Sequence, residues 1–214
     1  MRDYWITINK ESKDYFYNKE YHRLPELAKM FKNAKAKKIL DMGSGYGRNF
    51  VYLAKRGFDV YGFDNSKMAI GTLKARLKKE NLRGHLKKHD FNNRFPYPDG
   101  FFDAALSIAV LHHSTYEKVR RAAAELSRVV KKGGIVFISA PEEKSEAMRF
   151  KRIGYRTYLP LDGREKGVVH FYFTKPVIRR FFRDFKLKIK LAREPARGYK
   201  GKLSMRWDIL GVKI

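Results

Sequence analysis

The run Ile39-Leu40-Asp41-Met42-Gly43-Ser44-Gly45-Tyr46-Gly47-Arg48-Asn49-Phe50 decides the fold of this chain. Lys37, Lys38, Ile39 and Leu40 read as a short buried strand, closed by Asp41. Gly43, Gly45 and Gly47 follow as a tight turn, because glycine adopts backbone angles that other residues avoid and lets a ligand approach closely. Phe50, Val51, Leu53 and Ala54 then form the apolar side of a helix. A strand, a glycine turn and a helix start, whose free N–H groups present positive potential, make a nucleotide site.

The spacing narrows the ligand. A dinucleotide fingerprint is G-x-G-x-x-G, whereas this chain has G-x-G-x-G. The next strand, Asp59-Val60-Tyr61-Gly62-Phe63, ends in Asp64. A carboxylate there suits the two hydroxyls of a ribose, since it accepts two hydrogen bonds at once.

These motifs, ILDMGSGYGRN and GFDVYGFDNS, resemble the first two motifs of class I S-adenosylmethionine-dependent methyltransferases. The resemblance runs on through HDFNNRFPYPDGFFDAALSIAVLHH to VVKKGGIVFIS and covers about residues 37–140 well. GRN after the loop and the later KGVVHFYFTK are most similar to the small-molecule branch that includes tellurite-resistance-type enzymes. SIAVLHH also resembles the tRNA wobble-uridine branch, so the substrate stays open. The resemblance implies an α/β, Rossmann-like fold with a seven-stranded, mostly parallel sheet. Its last strand is antiparallel and helices cover both faces. It further implies that S-adenosylmethionine is held by Asp41, Gly43, Ser44, Gly45, Asn49, Asp64, Asn65, Asp90, Phe91 and Ile108. In that reading Asp90 faces the adenine amino group and Phe91 stacks or donates its backbone N–H; the alternative is that Asp90 caps a turn.

The remaining elements follow from periodicity. Tyr21, Leu24, Leu27, Ala28 and Phe31 recur at helical spacing, with Pro25 at a helix start. Ser66 caps a helix over 66–80, and Arg83 to Lys88 reads as a short strand. Phe101 to Ile108 is a near-continuous apolar run, as a central parallel strand requires. A helix over 116–131 ends at Lys131-Lys132-Gly133-Gly134 with a glycine cap, and Ile135 to Ala140 is the fifth strand. Thr174 caps a helix over 175–183, and 185–191 with 203–214 form a closing hairpin.

His112 and His113 follow the carboxyl end of the central strand, where ligands of open α/β sheets bind. They are the catalytic candidates, because imidazole exchanges protons near neutral pH; the other reading is a loop-anchoring hydrogen bond. No third ligand at a metal-binding spacing accompanies them, so no metal is expected. Many methyl transfers need only an aligned nucleophile beside the sulfonium. Tyr15, His170 and Tyr172 are the substrate-binding candidates, Tyr4, Trp5 and Tyr17 further aromatic ones near the cleft; plain packing is the alternative.

The 214 residues are read as one domain: a helical cover (1–34), a cofactor half (35–140), a substrate-side insertion (141–173) and a closing helix and hairpin (174–214). No apolar run reaches the roughly 18–20 residues of a membrane span, and no secretory signal pattern opens the chain. A cytoplasmic address and no membrane partner are expected. Cysteine is absent, which excludes disulfides, thiolate metal sites and a cysteine nucleophile. Glutamine is absent too, and with abundant Lys and Arg this fits a thermophile's protein, against which the lack of glutamate enrichment counts.

The net charge is +26, and residues 149–214 carry 19 basic and 5 acidic side chains, a net +14. Such a field attracts anions. Two partners stay open, a small-molecule substrate and an RNA, as does the oligomeric state. The expected reaction is SN2 methyl transfer to a small, anionic or planar acceptor. The alternatives are a tRNA or rRNA methyltransferase and a non-catalytic S-adenosylmethionine-binding partner subunit. An NAD enzyme fits the glycine spacing least.

Overall fold

A computed structural model describes residues 19–143, 149–163, 165–195 and 203–214. The elements are α1 (Leu24–Asn33), β1 (Lys38–Met42), α2 (Arg48–Ala54), β2 (Asp59–Asp64), α3 (Lys67–Lys79), β3 (His85–Lys88), β4 (Phe102–Ile108), α4 (Tyr116–Val129), β5 (Val130–Pro141), β6 (Phe150–Gly154), β7 (Thr157–Pro160), β8 (His170–Phe171), α5 (Lys175–Phe181), β9 (Phe185–Pro195) and β10 (Leu203–Lys213).

Seven strands form one sheet in the order β3-β2-β1-β4-β5-β10-β9. β1 pairs in parallel with β2 and β4, β2 with β3, and β4 with β5. β10 runs antiparallel between β5 and β9. The expected sheet with its antiparallel last strand is therefore present.

The alternation of strand side chains explains the two helical layers. Ile39, Val60, Leu106 and Phe137 face one way and pack with Leu27, Phe31, Phe50 and Leu73 from α1, α2 and α3. Their neighbours Leu40, Ala105, Val136 and Ile138 face the other way and pack with Val119, Leu126, Ile178 and Phe182 in and beside α4 and α5. A strand buried on both faces must be apolar throughout, which is the reading of β1 and β4.

Several boundaries move. The helix read to 131 ends at Val129, and Val130 already pairs with Phe102. Gly133 has φ +75°, but it lies in an irregular stretch of β5 rather than capping α4. Strand pairing thus ends the helix earlier than the glycines do. Ser66 does cap α3, accepting from the Ala69 amide at 3.2 Å. Thr174 occupies the cap position of α5 but its side chain makes no capping bond. The irregular segment after β5 is a small three-stranded sheet in the order β6-β7-β8. No helix among the described residues is long and apolar enough to cross a membrane.

Strand order reverses at β1, which lies between β2 and β4. The chain leaves β1 toward one edge and returns to β1's other side. That switch opens a crevice beyond the carboxyl ends of β1 and β4, where Gly43 and Ala109 follow.

Candidate active site

The loop after β1 is set by its glycines. Gly43 has φ +70° and a Cβ there would lie 2.5 Å from Val110 Cγ1 and Cγ2. Gly45 has φ +51° and open space where its Cβ would be, so a ligand can approach that backbone. The Gly43 and Ser44 amides both donate to the Phe63 carbonyl, at 2.9 and 3.0 Å.

Asp64 ends β2 beside this loop. Its Oδ2 accepts from the Gly45 amide at 2.9 Å and its Oδ1 from the Ser66 amide at 2.9 Å. Both oxygens are thus oriented by backbone. Asn65, next to it, is exposed.

Asp41 is 2% exposed. Burial pushes its carboxyl up to about 7; Arg48 opposes that shift, Asp64 adds to it, and the Phe50 amide opposes it. Ser44 is buried as well. Asn49 uses its carbonyl oxygen on the Tyr21 amide at 3.0 Å, which ties the segment before α1 to α2.

Asp90 closes a turn: its Oδ1 accepts from the Asn92 amide at 2.9 Å and from Asn92 Nδ2 at 2.8 Å. Asn92 in turn accepts from Ser114 Oγ at 2.7 Å, joining this loop to the one after β4. Phe91 is half-buried against the core. Ile108 ends β4, and Ala109 takes φ +59°, a left-handed conformation held by its amide's bond to the Ser139 carbonyl at 2.9 Å. That turn carries Val110 over Gly43 and leads into His112 and His113.

The two histidines meet a third. The His112 and His113 rings lie 3.9 Å apart, and His170 is 5.4 Å from the first and 4.8 Å from the second. The Phe171 amide donates to the His112 carbonyl at 2.8 Å, which fixes β8 against this loop. His170 Nδ1 lies 2.8 Å from the Val168 carbonyl and its Nε2 lies 2.9 Å from Glu165 Oε2. Burial lowers His112 well below the ordinary histidine range, and His113, His170 and Arg206 push the same way. Burial likewise pushes His113 down to about 3, with His170 adding to it and Glu165 opposing it. Burial opposes ionisation of Glu165, yet the adjacent His170 and the positive field of the histidine cluster and Arg206 outweigh it and hold the carboxyl well below its ordinary range.

Sequence spacing offers no third metal ligand beside His112 and His113, but the fold supplies His170, with donor atoms of the three rings within 4.8 Å of one another. The ground for expecting no metal is thereby removed. Tyr172, buried and 6.1 Å from the His170 ring, stands beside this cluster. Tyr15, with Tyr4, Trp5 and Tyr17, lies outside the described residues.

Glu165, Arg206 and Ser139 escape sequence reasoning. Arg206 on β10 donates to Ser139 on β5, through Nε to Oγ at 3.1 Å and through Nη2 to the carbonyl at 3.1 Å. Tyr21 reaches the same place, its hydroxyl donating to Asp208 Oδ1 at 3.0 Å. Nothing in their local sequence marks them, because β10 joins β5 only when the hairpin closes the sheet.

The model of the family described as Methyltransferase domain matches residues 40–138. Those residues are similar to that family. Among curated relatives, the tRNA (uracil(54)-C(5))-methyltransferase of Pyrococcus abyssi is 36% identical over 80 residues, 37% of this chain and 19% of that protein. The tRNA (carboxymethyluridine(34)-5-O)-methyltransferase of Arabidopsis thaliana is 49% identical over 59 residues, 26% of this chain and 15% of that protein. The chain spans less than a fifth of the length of either relative. Among solved structures, TehB of Haemophilus influenzae superposes with a TM-score of 0.72 at 20% identity, covering 91% of this chain and 63% of that one. The 1,6-didemethyltoxoflavin-N1-methyltransferase of Burkholderia thailandensis, solved with its 1,6-didemethyltoxoflavin and S-adenosylhomocysteine bound, superposes at 0.66 with 17% identity, covering 90% and 78%. The chain thus shares its fold with these structures over about nine tenths of its length.

Proposed function

We propose that this chain binds S-adenosylmethionine and transfers its methyl group to a small anionic or planar acceptor. The observation that carries this reading is the pairing of an open Gly45 backbone with the Asp64 carboxylate at the switch point of the sheet. A nucleoside needs that combination: backbone that admits close approach and an acceptor for two ribose hydroxyls. Asp41, Gly43, Ser44, Asn65, Phe91 and Ile108 are assigned to the same site. Asn49 and Asp90 contribute through the loops they brace.

The acceptor side is assigned to His112, His113, His170 and Tyr172. Arg206 adds a fixed positive charge, which favours an acceptor that arrives as an anion. In the SN2 step the acceptor's lone pair forms the new bond to the methyl carbon. The C–S bond breaks and its electrons return to sulfur, leaving a neutral thioether. An anionic nucleophile needs no base for this, so alignment next to the sulfonium supplies most of the rate.

A second reading is methyl transfer to tRNA. The 49% identity over 59 residues to the Arabidopsis tRNA enzyme and the net +26 charge favour it. Calorimetric titration with S-adenosylmethionine, S-adenosylhomocysteine and NAD tests the cofactor: the first two are expected to bind and NAD not. A radiolabelled methyl assay on a metabolite pool and on total tRNA then assigns the acceptor. Failure of both adenosyl ligands to bind overturns the proposal.

A further inference from the structure

We propose that His112, His113, His170 and Glu165 form a binding site for a divalent transition-metal cation of the zinc class. The three rings present donor atoms within 4.8 Å of one another, and Glu165 Oε2 lies 2.9 Å from His170 Nε2. Three imidazole nitrogens and one carboxylate oxygen suit zinc, cobalt, nickel or ferrous iron, all of which accept this borderline set.

The orientation of His170 carries the argument furthest. Its Nδ1 faces the Val168 carbonyl at 2.8 Å. A carbonyl only accepts, so Nδ1 bears a hydrogen and Nε2 is the nitrogen turned toward the cluster. That Nε2 is buried and has no hydrogen-bond partner among the described residues. The Glu165 carboxylate oxygen lies 2.9 Å away, outside hydrogen-bonding geometry, where it can serve as a fourth ligand beside the three rings. A ring held by a backbone carbonyl through its far nitrogen is also how proteins aim a metal-binding histidine. His112 and His170 are 4% and 3% exposed, His113 is half-buried, and the Glu165 side chain is 41% exposed, so the cluster opens to solvent on the Glu165 side. His112 Nδ1 is buried with no hydrogen-bond partner among the described residues. A buried nitrogen without a partner is costly unless something fills its place.

The scaffold is braced. The Phe171 amide holds the His112 carbonyl at 2.8 Å and the His113 amide holds the Val110 carbonyl at 2.9 Å. Arg206 is the neighbouring cation, and its charge opposes a second one. Its guanidinium is anchored to Ser139, and the Glu165 carboxylate offsets it. An ion here would stand at the acceptor end of the crevice. There it would act as a Lewis acid, holding an anionic acceptor or easing the loss of its proton. That role rests on the methyl-transfer reading, whereas metal binding itself does not.

The test strips the full chain with a chelator, reloads it with zinc or cobalt, desalts it and measures the metal by mass spectrometry. Close to one ion per chain is expected, with a visible d–d absorption band for cobalt. Glu165→Gln and His170→Ala should each weaken retention at least about tenfold. Their affinity for S-adenosylmethionine, measured in parallel, should match the parent's, which shows that they are folded. Retention below about a tenth of an ion per chain overturns the proposal. So does equal retention by the parent and a His112→Ala/His170→Ala double variant, which would place the ion on His22, His85 or His89.

Discussion

Removing the Asp64 carboxylate takes away the acceptor for two backbone amides and, in the proposed site, for the ribose. Asp64→Ala should weaken S-adenosylmethionine at least tenfold, about 1.4 kcal/mol, in calorimetry; unchanged affinity would refute the ribose assignment. Asp41 predicts a pH effect. Its folded carboxyl is raised to about 7, so the folded state keeps a proton that the unfolded chain releases near the ordinary value of 3.8. Stability is therefore greater at low pH and declines as pH rises toward 7. Asp41→Asn should remove that slope and raise the melting temperature at pH 8 more than at pH 5. About three pKa units set an upper bound of about 4 kcal/mol, and lost attraction to Arg48 reduces it. A melting curve series with the same slope as the parent would refute the assignment. His113→Ala should raise the acceptor KM at least about tenfold with S-adenosylmethionine affinity intact, about 1.4 kcal/mol, and a KM within about twofold of the parent's would remove His113 from the acceptor side.

At the level of elements, the joint between β1 and α2 is the most constrained. Gly47 has φ +89°, and a Cβ there would fall 2.1 Å from Leu73 Cδ1 on α3. Left-handed strain and overpacking add, so Gly47→Ala should cost roughly 2–4 kcal/mol in denaturant unfolding. A cost below about 1 kcal/mol would show that α3 shifts freely, contrary to its packing of Leu73 and Leu77 in the core. The small sheet β6-β7-β8 has the opposite character. It is joined to the main sheet's loops through the Phe171 amide and the His112 carbonyl, and it brings His170 and Tyr172 to the crevice.

For the whole molecule, the +26 charge is the dominant long-range property. Binding to generic RNA should fall by about 10³-fold or more between roughly 50 and 200 mM salt, since released counterions drive it. Transfer to a small acceptor should change by less than about tenfold over that range, because it engages only a few screened charges. Methylation of tRNA that persists unchanged at the higher salt would favour the RNA reading instead.

Local sequence determined a great deal of this protein. Alternation and apolar runs set the strands, Ser66 set the start of α3, and the glycine run with Asp64 marked the crevice, because these depend on neighbours a few residues apart. Residues 116–134 show the limit: the glycines suggested where α4 ends, yet strand pairing of Val130 with Phe102 ended it sooner. Only the tertiary structure decided what surrounds His112 and His113. His170 and Glu165 arrive through β8 and the turn before it, and Arg206 arrives through β10, which the sheet inserts beside β5. Their convergence follows from strand order. No spacing along the chain encodes that order, so the pair of histidines became a cluster only when the sheet was assembled.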